Sequence, residues 1–282
     1  MGPEGVLAED ASEAGMASLS AEDYEPALLE LIAPWLAASR APLQVVICGM
    51  AGAKQGWREA PYRKVPCAPI EAGQLTAVAT ADPRIRVGIA PGLSQPQPAD
   101  VMRGEETQIA GALALYPRFD GVICLPGTHS KWAHVSAGEV VSFQTFMTGE
   151  MFALLANQSV LRHGVQSDAW DDGAFAAAVG ETLSRPERLA SKLFGLRAEG
   201  LLHSLSADAA RARLSGLLIG AELAAAKPYW LGQDVALIGA PQLSRNYAAA
   251  LSLQGITARQ LSGRDCTLAG LAVLAGKFGK SP

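Results

Sequence analysis

The sequence predicts an α/β protein built as two lobes, and three observations carry that expectation. The chain has 282 residues, the size at which a single hydrophobic core stops growing and chains divide. Its composition, 49% hydrophobic and 18% charged with 29 Gly and 17 Pro, is that of a globular protein with material for a core rather than of a disordered or fibrous one. Short β-rich runs alternate with helically periodic segments from end to end, the pattern of strands and helices packed in layers.

Taken in order, Ser20 with Asp23 three residues on opens a helix in which Tyr24, Leu28, Leu31, Ile32 and Trp35 recur at helical spacing to about Ala38. Leu43 to Cys48 is a strand that ends in the Gly-rich GMAGAKQG, residues 49–56. A strand feeding a tight loop at its carboxyl end is where α/β proteins place ligands. Arg86 to Ala90 is a second strand, and Gly104 to Leu115 reads as helix. Then follow a strand at Val122 to Leu125, a polar loop at Gly127 to Lys131, a strand at Trp132 to Val135, a turn at Ala137-Gly138, a strand at Val140 to Phe146 and a helix from about Glu150. That order is the opening of a ribonuclease-H-like lobe. The remainder predicts a helix around Leu214 to Ala225, a strand at Val235 to Gly239, a helix at Leu243 to Leu253, a short strand at Ile256 to Arg259 and a closing helix from about Cys266.

GPEGVLAEDASEAGM near the start repeats the layout of SAGEVVSFQTFMTGE at residues 136–150. Each has a Gly turn before Val, an extended stretch, and a closing Gly with Met or Thr. The first copy then starts in the middle of a hairpin, with a turn at Pro3-Glu4-Gly5, a strand from Val6 to Asp10, and a vacant strand position beside it.

Composition excludes several functions. The formal net charge is −4 and Lys and Arg gather into no run, so the electrostatic footprint of nucleic-acid binding is missing. No apolar run approaches the roughly 18 residues needed to span a membrane. The opening MGPEGVLAEDASEAG lacks the basic start and apolar stretch of a signal peptide. Cys48, Cys67, Cys124 and Cys266 lie far apart without a C-x-x-C, which fits reduced thiols in a cytoplasmic protein.

Pro126-Gly127-Thr128-His129-Ser130-Lys131 joins two strands with a Gly for close approach, two hydroxyls and a cation. Backbone N–H groups of such a hairpin make an anion nest, and hydroxyls with Lys add charge-assisted bonds to phosphate. An ordinary polar hairpin reads the same by spacing alone. The loop opens a strand rather than a helix, so it is not a Walker A loop. Ser130 beside His129 makes no hydrolase pair, because adjacent residues of an extended segment point apart and no G-x-S-x-G elbow exists. His129 and His134 have no spacing that turns both to one metal. Glu105 and Glu106 enter a helix after Gly104, where acidic residues suit the helix dipole. Trp57 and Arg58 could close a sugar pocket, or Trp57 could anchor packing.

In this order and at these intervals, GMAGAKQGWREAPY, IAPGL, DVMRGEETQ, LPGTHSKW, FMTGEMFALL and SGLLIGAE resemble the 2-dehydro-3-deoxygalactonokinase family, from Gly15-Met16 to the last helix. The resemblance implies two ribonuclease-H-like lobes of the actin-like ATPase type clasping ATP and Mg²⁺ in an inter-lobe cleft. It places the boundary near residues 117–120, with residues 1–118 on the sugar-acid side and residues 119–282 on the nucleotide side. It implies a phosphotransferase that moves the γ-phosphoryl of ATP to the 6-hydroxyl of 2-dehydro-3-deoxy-D-galactonate, a step of galactonate catabolism. Carried over by position, Gly127, Thr128, His129, Ser130 and Lys131 match the second phosphate loop. Gly216, Gly220, Gly239 and Ala240 match the adenosine side. The segments around Trp57, Arg58 and Arg103 match the sugar-acid side, where Arg58 or Arg103 suits a carboxylate by its planar donor fork. Glu105 and Glu106 are the candidate general bases, no residue is assigned to the metal, and a homo-oligomer is left open.

The family's first phosphate loop, of D-W-G-T type with a Mg²⁺-positioning Asp, has no counterpart here, which predicts a chain lacking its first strand. A catalytically impaired paralogue that senses a sugar acid or nucleotide is the alternative.

Overall fold

The computed structural model describes residues 5–276, which divide into two compact units: residues up to Tyr116 together with those from Cys266, and Pro117–Asp265. In the first unit α1 (Tyr24–Leu31) and α2 (Ala33–Ala38) precede β1 (Leu43–Ile47), β2 (Tyr62–Lys64), β3 (Thr76–Val78), β4 (Ile85–Ile89), β5 (Gly92–Pro96), β6 (Ala99–Met102) and α3 (Glu105–Leu115). The single helix expected from Ser20 to Ala38 is broken at Ile32 because Pro34, at the start of α2, has no N–H for the carbonyl four residues back. Ser20 does not cap it; its N–H and hydroxyl both donate to Asp23, 2.9 and 2.5 Å away.

Two three-stranded sheets form, ordered β1-β4-β3 and β2-β5-β6. Ile32 between the two helices and Leu36 of α2 pack on Ile85 and Val87 of β4, with Leu28, Leu29 and Leu31 of α1 partly buried beside them. Gly5 makes an isolated bridge, and Val6–Asp10 lie in no strand. Leu7 is 77% exposed, so no buried side chain fixes a strand register there. Pro3 and Glu4 of the expected hairpin turn lie outside the described residues.

The second unit runs β7 (Gly121–Leu125), β8 (Ser130–Ser136), β9 (Glu139–Phe146), α4 (Thr148–Gln158), α5 (Asp172–Ser184), α6 (Leu189–Leu202), α7 (Ala207–Ala225), α8 (Lys227–Trp230), β10 (Val235–Gly239), α9 (Pro241–Ser252) and β11 (Arg259–Ser262), with α10 (Gly263–Ala275) closing the chain. Its sheet is ordered β11-β10-β7-β8-β9. β8 and β9 are antiparallel on one side of the first strand, and β10 and β11 parallel on the other. That is the ribonuclease-H-like order predicted from the sequence. Ala137 and Gly138, at φ 50° and 81°, make the two-residue β8–β9 turn. The last strand is displaced from Ile256–Arg259 to Arg259–Ser262, because Gln254 and Ile256 still close the end of α9 by donating to Leu251.

The segment from Cys266, expected in the second lobe, clusters with the first unit. A Cβ on Gly111 of α3 would overlap the Cys266 carbonyl, and one on Gly270 would overlap that of Thr107. The two helices therefore meet backbone to backbone. Among the described residues no helix is long and apolar enough to cross a membrane.

Gly111→Ala forces these helices apart and should destabilise the chain by about 1–3 kcal/mol, the usual range for overpacking. Urea unfolding midpoints compare the two proteins, and an unchanged midpoint would refute the contact.

Candidate active site

The loop between β7 and β8 is the centre of the second unit's site. Ser130 and Lys131 belong to β8, so the irregular part is only Pro126–His129. The loop sits on the start of α4: a Cβ on Gly149 would overlap the Gly127 carbonyl oxygen, and Glu150 N–H donates to the Thr128 carbonyl at 2.9 Å. Only glycine allows that approach. It brings the loop against the positive end of an 11-residue helix, the natural setting for an anion.

Beside this junction opens a cavity of about 740 Å³. Gly127, Thr128, Thr148 and Gly149 form its polar end. Phe152 of α4 and Arg211, Ser215, Leu218 and Ile219 of α7 form one flank, with the Arg211 guanidinium 5.2 Å from the centre of the Phe152 ring. Ser167–Trp170 lead into α5, and Gln242, Leu243, Asn246 and Tyr247 of α9 complete the wall. The arrangement offers an anion-binding end, an apolar flank and an aromatic rim.

Under the loop lies a buried carboxylate. Glu222, 3% exposed, accepts hydrogen bonds from Ser130 Oγ at 2.8 Å, Trp132 Nε1 at 2.7 Å and Tyr247 Oη at 2.7 Å. The Thr148 side chain also bonds to it. Burial raises its pKa, and the four donors oppose the shift.

The candidates read from the sequence fall at different places around this cavity. Gly127 and Thr128 line the cavity. His129 stands at the loop's edge, its Nε2 2.7 Å from Glu150 Oε2. Ser130 is fully buried and committed to Glu222 rather than to a phosphate. Lys131 projects from the opposite face of β8, is 6% exposed and donates from Nζ to the His129 carbonyl at 3.0 Å, so it braces the loop and does not line the cavity. Gly216 and Gly220 face α5, where a Cβ would collide with the Phe175 carbonyl and with Thr182 Oγ1; they are packing residues. The cavity face of α7 is the neighbouring stripe, Arg211, Ser215, Leu218 and Ile219. Gly239 admits the Pro126 carbonyl, 2.9 Å from where its Cβ would be, and Ala240 precedes α9 exposed to solvent. Neither lines the cavity.

In the first unit the segment before α3 gathers the charged candidates. Arg103, 9% exposed, donates from Nη2 to the Ala60 carbonyl at 2.7 Å and lies 4.3 Å over the Tyr62 ring. Among the described residues its Nε and Nη1 have no hydrogen-bond partner, and Nη1 points where a Cβ on Gly52 would be. A buried guanidinium with unpartnered donors is costly unless something binds it. Glu105 Oε2 accepts from the Arg103 N–H at 3.0 Å. Glu106 is fully buried; it accepts from the Gly104 N–H at 2.7 Å and from Thr107 Oγ1 at 3.1 Å. Burial pushes its pKa up to about 7. Arg58 is exposed, whereas Trp57 stacks on Tyr24 at 5.9 Å within the helix-packed core, a packing anchor rather than a sugar platform.

Among the described residues no three His, Cys, Asp or Glu side chains gather as a metal site. Thr128 and Asp168 on the cavity wall and Glu150 beside the loop are oxygen donors of the kind that suit a phosphate-borne Mg²⁺, which takes one or two carboxylates from a protein and keeps its waters.

A ribonuclease-H-like unit whose first hairpin loop abuts a helix start at the mouth of such a cavity has the form of an actin-like ATPase lobe. The sequence model of the family described as 2-keto-3-deoxy-galactonokinase matches residues 1–274. "Probable 2-dehydro-3-deoxygalactonokinase DgoK1" of Rhizobium meliloti is 42% identical over 96% of this chain and 89% of the relative. The 2-dehydro-3-deoxygalactonokinase of Escherichia coli is 35% identical over 94% and 88%. A crystal structure from Sinorhizobium meliloti, assigned as a 2-dehydro-3-deoxygalactonokinase, superposes with a TM-score of 0.90 at 39% identity, covering 100% of this chain and 93% of that one. The chain belongs to the 2-keto-3-deoxy-galactonokinase family.

Because the folded Glu106 titrates near 7 against an ordinary value of 4.5, the folded state holds its proton where the unfolded chain has released it. Its contribution is therefore full below pH 4.5 and lost as pH rises through 7. Glu106→Gln should flatten the fall in stability between pH 5 and 8, worth on the order of 3 kcal/mol. Urea titrations across that range decide it, and equal slopes in both proteins would contradict the burial.

Proposed function

We propose that this chain transfers the γ-phosphoryl group of ATP to the 6-hydroxyl of 2-dehydro-3-deoxy-D-galactonate. The observation that carries the nucleotide side is the loop–helix junction of Gly127, Thr128 and Gly149 at the polar end of a 740 Å³ cavity. Backbone N–H groups of the loop and the start of α4 would face the phosphates, and the flank of Phe152, Leu218 and Ile219 would take the base and ribose. Mg²⁺ carried on the phosphates would neutralise charge as the phosphoryl group moves. Thr128, Asp168 and Glu150 are the residues suited to hold it. Little covalent chemistry is asked of the protein in such a transfer, so positioning dominates.

On the sugar-acid side, the buried Arg103 guanidinium, with Nε and Nη1 unpartnered among the described residues, is the cation we assign to the substrate carboxylate. The burial of Arg103 would strengthen that pairing relative to water. Glu105 and Glu106 remain the candidates to take the hydroxyl proton. Glu106, pushed up to about 7 by burial, suits proton transfer near neutrality, and Glu105 is the more accessible of the two. Four cysteines without a disulfide among the described residues fit a cytoplasmic setting. The sensor alternative is not favoured, since relatives named as kinases match 94–96% of the chain.

Incubation with ATP, Mg²⁺ and 2-dehydro-3-deoxygalactonate should give a 6-phosphorylated product by ³¹P NMR; no product from folded protein would contradict the assignment. Arg103→Met should raise KM for the sugar acid about ten- to hundredfold, the scale of a charged hydrogen bond, with KM for ATP within about twofold. An unchanged sugar-acid KM would remove Arg103 from the carboxylate site.

A further inference from the structure

Glu222 takes no part in the transfer described above, yet its hydrogen bonds tie together α4 and α9, two walls of the cavity, and the strand that follows the loop. From α7, whose Ser215, Leu218 and Ile219 form one wall, it holds Ser130 and Trp132 at the start of β8. It also holds Tyr247 on the α9 wall and Thr148 in the first turn of α4. Tyr247 Oη lies 3.4 Å from Ser130 Oγ as well, so the donors form a ring around one carboxylate. A carboxylate has about four acceptor sites, and here four donors fill them. An amide in its place would keep one oxygen and turn an N–H₂ group toward donors that need acceptors.

We propose that Glu222 is a positioning residue for the nucleotide: through Ser130 and Thr148 it sets the distance between the phosphate loop and the start of α4, and through Tyr247 it sets the width of the cavity. The inference rests on the nucleotide site proposed above. Ser130 is the informative neighbour, because it is fully buried and does not line the cavity. Any effect of its hydroxyl on ATP must travel through the ring it shares with Glu222 and Tyr247. A carboxylate that served the core alone would change stability and leave the constants of the folded enzyme as they were.

The experiment is a double-mutant cycle on the full chain, with Glu222→Gln, Ser130→Ala and the pair, read by steady-state kinetics and by calorimetric titration with ATP and Mg²⁺. Each single variant should raise KM and Kd for ATP, Glu222→Gln by about tenfold, the scale of one buried donor left unpaired. KM for the sugar acid should stay within about twofold. The double variant should match Glu222→Gln, because both changes break one network. Should Glu222→Gln fail to fold, Tyr247→Phe, which keeps the ring and loses one donor, takes its place in the cycle. Wild-type ATP constants in folded single variants, or additive effects, would overturn the positioning role while leaving the nucleotide site standing. An unmodified chain that binds no ATP would overturn the site itself.

Discussion

A buried carboxylate sets the terms for the second unit. Taking an ionised Glu out of water costs several kcal/mol unless donors replace the lost hydration, and Glu222 finds its donors on three elements besides its own. None of the four donor residues is near the others in sequence except Ser130 and Trp132. Satisfying the carboxylate therefore requires the start of β8, the start of α4 and the middle of α9 to converge on α7. The cavity is the space left beside that point of convergence. A fold secured by apolar packing alone could slide by a rotamer, whereas four directed bonds to one group admit little freedom.

The first unit solves a different problem. It buries an arginine just before α3 and a glutamate in the first turn of α3 with no ion pair between them among the described residues. Glu106 is met by the Gly104 N–H and Thr107 and retains a proton near neutrality. Arg103 is met by one carbonyl and one ring face. Among the described residues its Nε and Nη1 have no partner, and a buried guanidinium left so is costly unless something binds it. Gly52 lacks a Cβ that would collide with Arg103 Nη1 and Ile89, which lets the guanidinium settle against that backbone.

Much of this was legible in the sequence, and the failures have physical causes. The β7–β8–β9 hairpins were readable because alternating apolar residues and a two-residue turn specify register. The loop at Gly127 and Thr128 and the charged segment at Arg103 to Glu106 were visible as polar residues at strand and helix ends. Gly216 and Gly220 misled because a glycine shows close approach without showing to what. Their i, i+4 spacing signalled a helix–helix contact, and Thr182 on α5 was the partner that only the structure supplies. Ser130 was misplaced because inward and outward faces of β8 could not be told apart until Trp132, two residues on, was seen to share its partner. Glu222 was missed outright. One acidic residue in an apolar helix stripe was the available signal, and its donors lie 25 to 92 positions away. The strands β2, β3, β5 and β6 went unseen because three to five residues carry too little alternation.

The central claim is that nucleotide occupies the cavity bounded by the Gly127–Thr128 loop, α4, α7 and α9. Hydrogen–deuterium exchange with and without saturating ATP and Mg²⁺ tests it most directly. Residues 127–129 and 167–170 are irregular segments on or beside the cavity wall, and irregular backbone exchanges quickly until a ligand covers it. The account predicts that ATP slows exchange in both segments together. A chain that binds ATP while both segments exchange as they do in its absence would contradict it.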